Sequence, residues 1–175
     1  IGSTSSFNTG SGAIALGSAG NHFGGAVSLT GNEVSIRDSS TLTLGTLNTA
    51  NLTATSNGGL NLGSGRVAGT LAASSGNGAI GQAGGLIVDA ATTLNAGSGA
   101  IALTDGSNDF RSGVSLTGTG ISVVDRDDLR ISSISNGTNG AIALTAGGAL
   151  TLPTQNLSTG TGALSLIANG GALST

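Results

Sequence analysis

The chain has 175 residues and contains no Cys, Met, Trp, Tyr or Lys, a single Pro, and only three aromatic residues, Phe7, Phe23 and Phe110. Without cysteine no disulfide framework can form. That fits the cytosol and large secreted bacterial proteins alike. Basic residues are limited to five Arg against eight acids, a net charge of −3. Such a balance provides no basic surface, which excludes nucleic acid from the expected partners. No apolar run approaches the ~20 residues of a membrane-spanning helix, so no membrane insertion is expected. The chain opens on Ile1 with neither an initiator Met nor a signal peptide, as a processed product or excised piece does.

What is abundant is small: 33 Gly and 46 Ser plus Thr. Low charge with this composition can mark a flexible linker. Leu, Ile and Val recur too regularly for that. They recur because the chain is duplicated. GSGAIAL stands at 10–16 and again at 97–103, an offset of 87. At the same offset Asn21 falls on Asn108, Phe23 on Phe110, Val27-Ser28-Leu29-Thr30-Gly31 on Val114-Ser115-Leu116-Thr117-Gly118, and Asp38 on Asp125. Two three-residue insertions raise the offset to 90 (Leu60 to Leu150) and then to 93 (Leu71 to Leu164). The expected organisation is one continuous segment, 1–175, made of two internal repeats, 1–87 and 88–175.

Within each copy the apolar residues come as i, i+2 pairs: Ile14/Leu16, Val27/Leu29, Val34/Ile36, Leu42/Leu44, Leu60/Leu62, and in the second copy Ile101/Leu103, Val114/Leu116, Ile121/Val123, Leu150/Leu152. That is the period of a strand with one buried face. Gly-rich segments between the pairs would break any helix. Short strands with frequent turns suit two all-β architectures. Tandem immunoglobulin-like sandwiches need bulky residues to fill a gap of ~10 Å between sheets. A parallel β-solenoid, with about three short strands per coil of ~20–25 residues, needs medium aliphatics stacked on like aliphatics. Three Phe with no Trp or Tyr favour the solenoid. Its Asn-Gly steps (57–58, 77–78, 136–137, 139–140, 169–170) are then corners rather than hairpin turns. About 7–8 coils rising ~4.8 Å each give a rod of ~35–40 Å. Leu16, Leu29, Ile36, Leu103 and Leu116 are expected to point inward.

The stretches GNHFGGAVSLTGNEVSI (20–36) and SNDFRSGVSLTGTGISV (107–123) share Asn-x-Phe, an x-Val-x-Leu-x-Gly strand and a second Val/Ile pair. They resemble the haemagglutinin-type repeats of filamentous haemagglutinin and related adhesins exported by two-partner secretion. The resemblance implies a right-handed parallel β-helix at the outer surface of a Gram-negative cell, secreted, in the stalk of a long adhesin acting in attachment or biofilm. Its partners would be a host-cell or matrix surface, or an exopolysaccharide, met through the full-length protein. A carbohydrate-binding or carbohydrate-active β-helix is the alternative. No Arg-Gly-Asp sequence, secretion domain or toxin-like end is present. Neither end of the chain resembles a polar cap, so a segment of a longer rod is expected.

Few residues suggest chemistry, and no catalytic, cofactor or metal residue is assigned. Asp125-Arg126-Asp127-Asp128 with Arg130 is the densest charged group. Paired carboxylates do acid–base work or bind Ca²⁺. A solvated corner is the plainer expectation, since the first copy has Asp38-Ser39-Ser40-Thr41 there. Asp105 and Asp109 faintly suggest a calcium loop, but no acid closes it. His22, the only histidine, is expected at the surface, and Asp109 replaces it in copy two. Asn21-x-Phe23 and Asn108-x-Phe110 are expected to be structural, with Phe folded over a coil and Asn satisfying corner amides. Thr41–Thr55 could present a Thr array to ice or a repeating polymer, but the Thr spacing is irregular. The three Asn-x-Ser/Thr sites, Asn51, Asn136 and Asn156, match what this composition yields by chance.

Overall fold

The computed structural model describes all residues, 1–175. It is all-β: 19 strands, and no helix long and apolar enough to cross a membrane. Every strand pairing is parallel, and the chain winds through about eight turns. The molecule is a parallel β-solenoid.

Three strand faces make each turn. Face A stacks 5–8 on 27–30, then 46–49, 64–67, 86–88 and 109–110. Face B stacks 14–16 on 34–36, then 52–56, 71–75, 92–95, 114–118 and 133–136. Face C stacks 42–43 on 60–61, then 80–81, 101–103, 121–125, 142–146 and 164–168. Residues 129–130, 150–151 and 173–174 continue face A in the later turns. Side chains alternate as a half-buried strand requires. In Leu71–Ser75, Leu71, Ala73 and Ser75 are buried and Ala72 and Ser74 are not.

Turn length varies from 17 residues (Val27 to Leu44) to 23 (Leu150 to Leu173), shorter at the low end than the sequence suggested. The shortest turns lose their corners as separate loops. Val27–Asp38 runs as a single strand through one corner and Leu42–Ser56 through two, so the expected three short strands merge there. Corners elsewhere need left-handed backbone. Asn77 and Asn139 have φ of 64° and 60°, and each turns its Oδ1 to the next turn, accepting from Ser98 N–H at 3.1 Å and Thr161 N–H at 2.9 Å. These Asn-Gly steps are therefore solenoid corners, and the side chain replaces a ladder bond that the corner cannot make.

The register shows how the duplication sits on the rod. Ile14 stacks in succession on Val34, Leu52, Leu71 and Thr92, four turns on and still on face B. Its sequence equivalent, Ile101, is one strand further, on face C. Likewise Val27 lies on face A and its equivalent Val114 on face B. The repeat thus spans four turns and one extra face. Each feature of copy one reappears in copy two rotated by about a third of a turn.

The core is one cluster of 35 buried apolar residues running the length of the rod. Leu29, Ile36, Leu103 and Leu116 point inward as expected and are buried. Leu16 is only half-buried, because it belongs to the first turn and has a stacking neighbour on one side alone. Leu164 and Leu173, in the last turn, are exposed for the same reason.

Candidate functional site

The most individual side chains gather at one structural device that occurs twice. In copy one, Asn21 sits between strands and its Nδ2 donates to the Leu16 carbonyl at 2.7 Å, closing the corner behind it. Phe23 then turns into the core, and its N–H donates to Asp38 Oδ2 at 2.7 Å. Asp38 belongs to the next turn. Its Oδ1 accepts from the Ser40 N–H at 2.7 Å and the Ser40 hydroxyl at 2.8 Å. Ser39 N–H donates to the Asn21 carbonyl at 2.8 Å. Copy two repeats the set: Asn108 Nδ2 to Leu103 O, 3.2 Å; Phe110 N–H to Asp125 Oδ2, 2.7 Å; Asp127 N–H to Asp125 Oδ1, 2.8 Å; Arg126 N–H to Asn108 O, 2.9 Å. We call each set a clamp, since it ties one turn to the next.

Two corrections follow. Asp125 is not on a solvated corner: it is buried and holds two backbone amides, as Asp38 does. Asp109, which with Asp105 faintly suggested a calcium loop, is buried too. The solvated description holds for Arg126, Asp127, Asp128 and Arg130, all exposed. Asp105 caps its own loop, accepting from Ser107 N–H at 2.8 Å. Asp109 turns instead to two guanidinium groups, Arg111 and Arg126, at 2.8 and 2.9 Å. No three acids or histidines cluster as a metal site would require. His22 is exposed as expected, with Nδ1 2.9 Å from the Ser40 hydroxyl.

The two clamp carboxylates titrate in opposite directions. Burial pushes Asp38 upward, but the amide bonds from Phe23 and Ser40, the Ser40 hydroxyl and His22 together outweigh it, and it lies below its ordinary value of 3.8. For Asp125 burial dominates. The amide bonds from Phe110 and Asp127 oppose it, the charges of Asp109 and Asp127 reinforce it, and the net displacement is upward.

A charge ladder extends from the second clamp along face A. Arg66 pairs with Asp89, Asp89 with Arg111 at 2.9 Å, Arg111 and Arg126 with Asp109, and Arg126 with Asp127 at 2.9 Å. The Arg66 hydrogen bond holds the Asp89 carboxyl below the usual range, and the Asp109 hydrogen bond raises Arg111. Three of the five Arg are thereby neutralised. Arg130 is exposed and has no carboxylate within ion-pair distance.

The Phe of each clamp folds into the core as expected, whereas the Asn, expected to satisfy corner amides, donates to the Leu16 or Leu103 carbonyl, and only Asn108 also accepts an amide, from Leu86; the acid of each clamp was missed. A signal existed: among the acids of copy one, Asp38 is matched by a carboxylate in copy two. Gln82, whose amide exchanges hydrogen bonds with buried Asn108 at 2.7 and 3.0 Å, carried no such signal.

The fold and its clamps define a repeat protein of the parallel β-solenoid class. The chain matches the model of a family described as repeats of unknown function (DUF5649), over residues 1–30 and 49–117. That is more than half of its length, and the chain belongs to this family. Both matched segments end on equivalent residues, Thr30 and Thr117. Neither the curated proteins nor the solved structures yielded a match.

Proposed function

We propose that this chain is a structural and adhesive stalk segment of a large secreted bacterial surface adhesin and not an enzyme. It sets reach and stiffness outside a Gram-negative cell, and the full-length protein meets a host-cell or matrix surface or an exopolysaccharide. The observation that carries the reading is where the polar chemistry goes. Asp38 and Asp125 each accept one backbone amide from the neighbouring turn and one from their own. Asp89, Asp109 and Asp127 are bound by arginines. These groups brace a rod, and acids so engaged are poorly placed for proton transfer. The haemagglutinin-like residues quoted above supply the adhesin part of the reading.

Deleting whole 87-residue units from the parent gene tests it. Surface exposure should persist while attachment to host cells or biofilm matrix falls. Unchanged attachment would count against the stalk role. Turnover of pectin or alginate by the purified chain, abolished by Asp127→Asn, would establish an enzyme instead. The carbohydrate-binding alternative is favoured by one observation, a groove beside Arg130.

A further inference from the structure

On face A a groove of about 300 Å³ opens between successive turns. Three successive turns line it, Arg111 and Ser112 from the first, Arg130 from the second and Thr151 from the third, with buried Phe110 and Leu129 also lining it. Asp128 is also on its wall, but its Oδ1 accepts the Ala149 N–H at 2.7 Å. Arg111 points its charge toward Asp89 and Asp109. Arg130 does not share in the ladder. It is an unpaired guanidinium standing over a groove edged by hydroxyl groups.

The duplication supplies an internal reference for this groove. The equivalents of Arg111, Ser112 and Arg130 in copy one are Gly24, Gly25 and Thr43, which carry no charge. Both copies have an irregular register beside the position, between Val27 and Leu29 in one and Val114 and Ser115 in the other. Such irregularities re-aim neighbouring side chains. The scaffold is therefore common to both copies, and the charged lining, Arg111 and Arg130 with Asp128 in place of Thr41, belongs to the second alone.

We propose that this groove binds a carboxylate-bearing polysaccharide, with Arg130 holding one uronate carboxylate and Ser112 and Thr151 meeting ring hydroxyls. A guanidinium takes a carboxylate through two parallel N–H donors. The groove is open and mostly polar, and no Trp or Tyr is available to stack on a neutral sugar. A charged saccharide is thus the glycan that this lining favours. The site stands apart from the stalk reading, and its failure would leave that reading in place.

The test titrates oligogalacturonate, dextran and dextran sulfate into the purified chain and into Arg130→Gln and Arg130→Lys. Thermal melting of each variant serves as the folding control. Oligogalacturonate should bind and weaken as salt rises. Arg130→Gln should lose about tenfold or more in affinity. Arg130→Lys should fall between the two, because an ammonium lacks the paired donors. Dextran should not bind. Absence of oligogalacturonate binding, equal binding by Arg130→Gln, or binding of dextran sulfate alone would overturn the proposal.

Discussion

The two clamps share their hydrogen bonds almost atom for atom and differ in what surrounds them. Clamp one lies near the first turn, with exposed His22 and Ser40 beside its acid. Clamp two lies deeper in the stack, with Asp109, Arg126 and Asp127 there instead. Identical amide donors hold one carboxylate below its ordinary value and fail to hold the other. The geometry of a repeat is thus inherited by each copy, and its electrostatics are set by the turns packed around it.

The largest test of that contrast is in the core. Phe110 has turns stacked on both sides, whereas Phe23 packs edge-on against half-buried Phe7, with ring centroids 6.4 Å apart. Phe110→Ala should cost about 3–5 kcal/mol in urea unfolding. Phe23→Ala should cost less. Equal losses would show that depth in the stack does not matter.

Next come the acids. Asp125→Ala leaves one buried amide, of Phe110, and one part-buried amide, of Asp127, without an acceptor and should cost about 2–4 kcal/mol. Asp38→Ala strips the same pair of amides, one buried and one part-buried, and should cost at least as much, since folding favours the ionised Asp38. Asparagine variants separate the two by pH. The lowered value of Asp38 contributes stability that is present above 3.8 and is lost as pH falls through its folded-state value. The raised value of Asp125 has the opposite sign, since folding disfavours its ionised form. Acidification from neutrality toward 3.8 should relieve that cost in the parent and not in Asp125→Asn. The stability gap between the parent and Asp125→Asn should widen over that range, and the gap to Asp38→Asn should stay flat and close only below it. Gaps moving together would contradict the environmental account.

A smaller contrast is found at another equivalent pair, Ser5 and Thr92. The Ser5 hydroxyl donates to the Ser3 carbonyl at 3.3 Å, while the Thr92 hydroxyl is buried without a partner. Thr92→Val should raise stability by about 1 kcal/mol, and Ser5→Val should leave it unchanged. The smallest effect concerns position 22 and its equivalent 109. Asp109→Asn cuts the ladder and should lower the melting temperature slightly at low salt, an effect that fades as salt rises. His22→Asn should have no measurable effect at either salt.

Much of this fold was legible in the sequence. The i, i+2 pairs identified the strands, and the lack of Trp and Tyr favoured a narrow solenoid. The Asn-x-Phe recurrence marked the clamps. Two things were hidden, each for a physical reason. The phase of the repeat depends on how many residues each turn takes, and the turns from Val27 to Leu62 shorten by letting strands run through corners. Nothing in local composition announces that. The burial of Asp125 depends on the turn below it, which the run Asp125-Arg126-Asp127-Asp128 does not contain. Read locally, that run describes a solvated corner, and three of its four residues are one.

The stacking register displaces the second copy by one face. Thr93 on face B lies directly beside Ser115, both with outward side chains. Neighbouring strands ~4.8 Å apart are within the reach of a disulfide. Ser28, the sequence equivalent of Ser115, lies on face A. The chain has no native cysteine, so introduced pairs report without interference. Mild oxidation of Thr93→Cys/Ser115→Cys should give a quantitative intramolecular disulfide, and Ser28→Cys/Ser115→Cys should stay reduced. A reduced first pair in a chain that still melts like the parent, or a bridged second pair, would contradict the register.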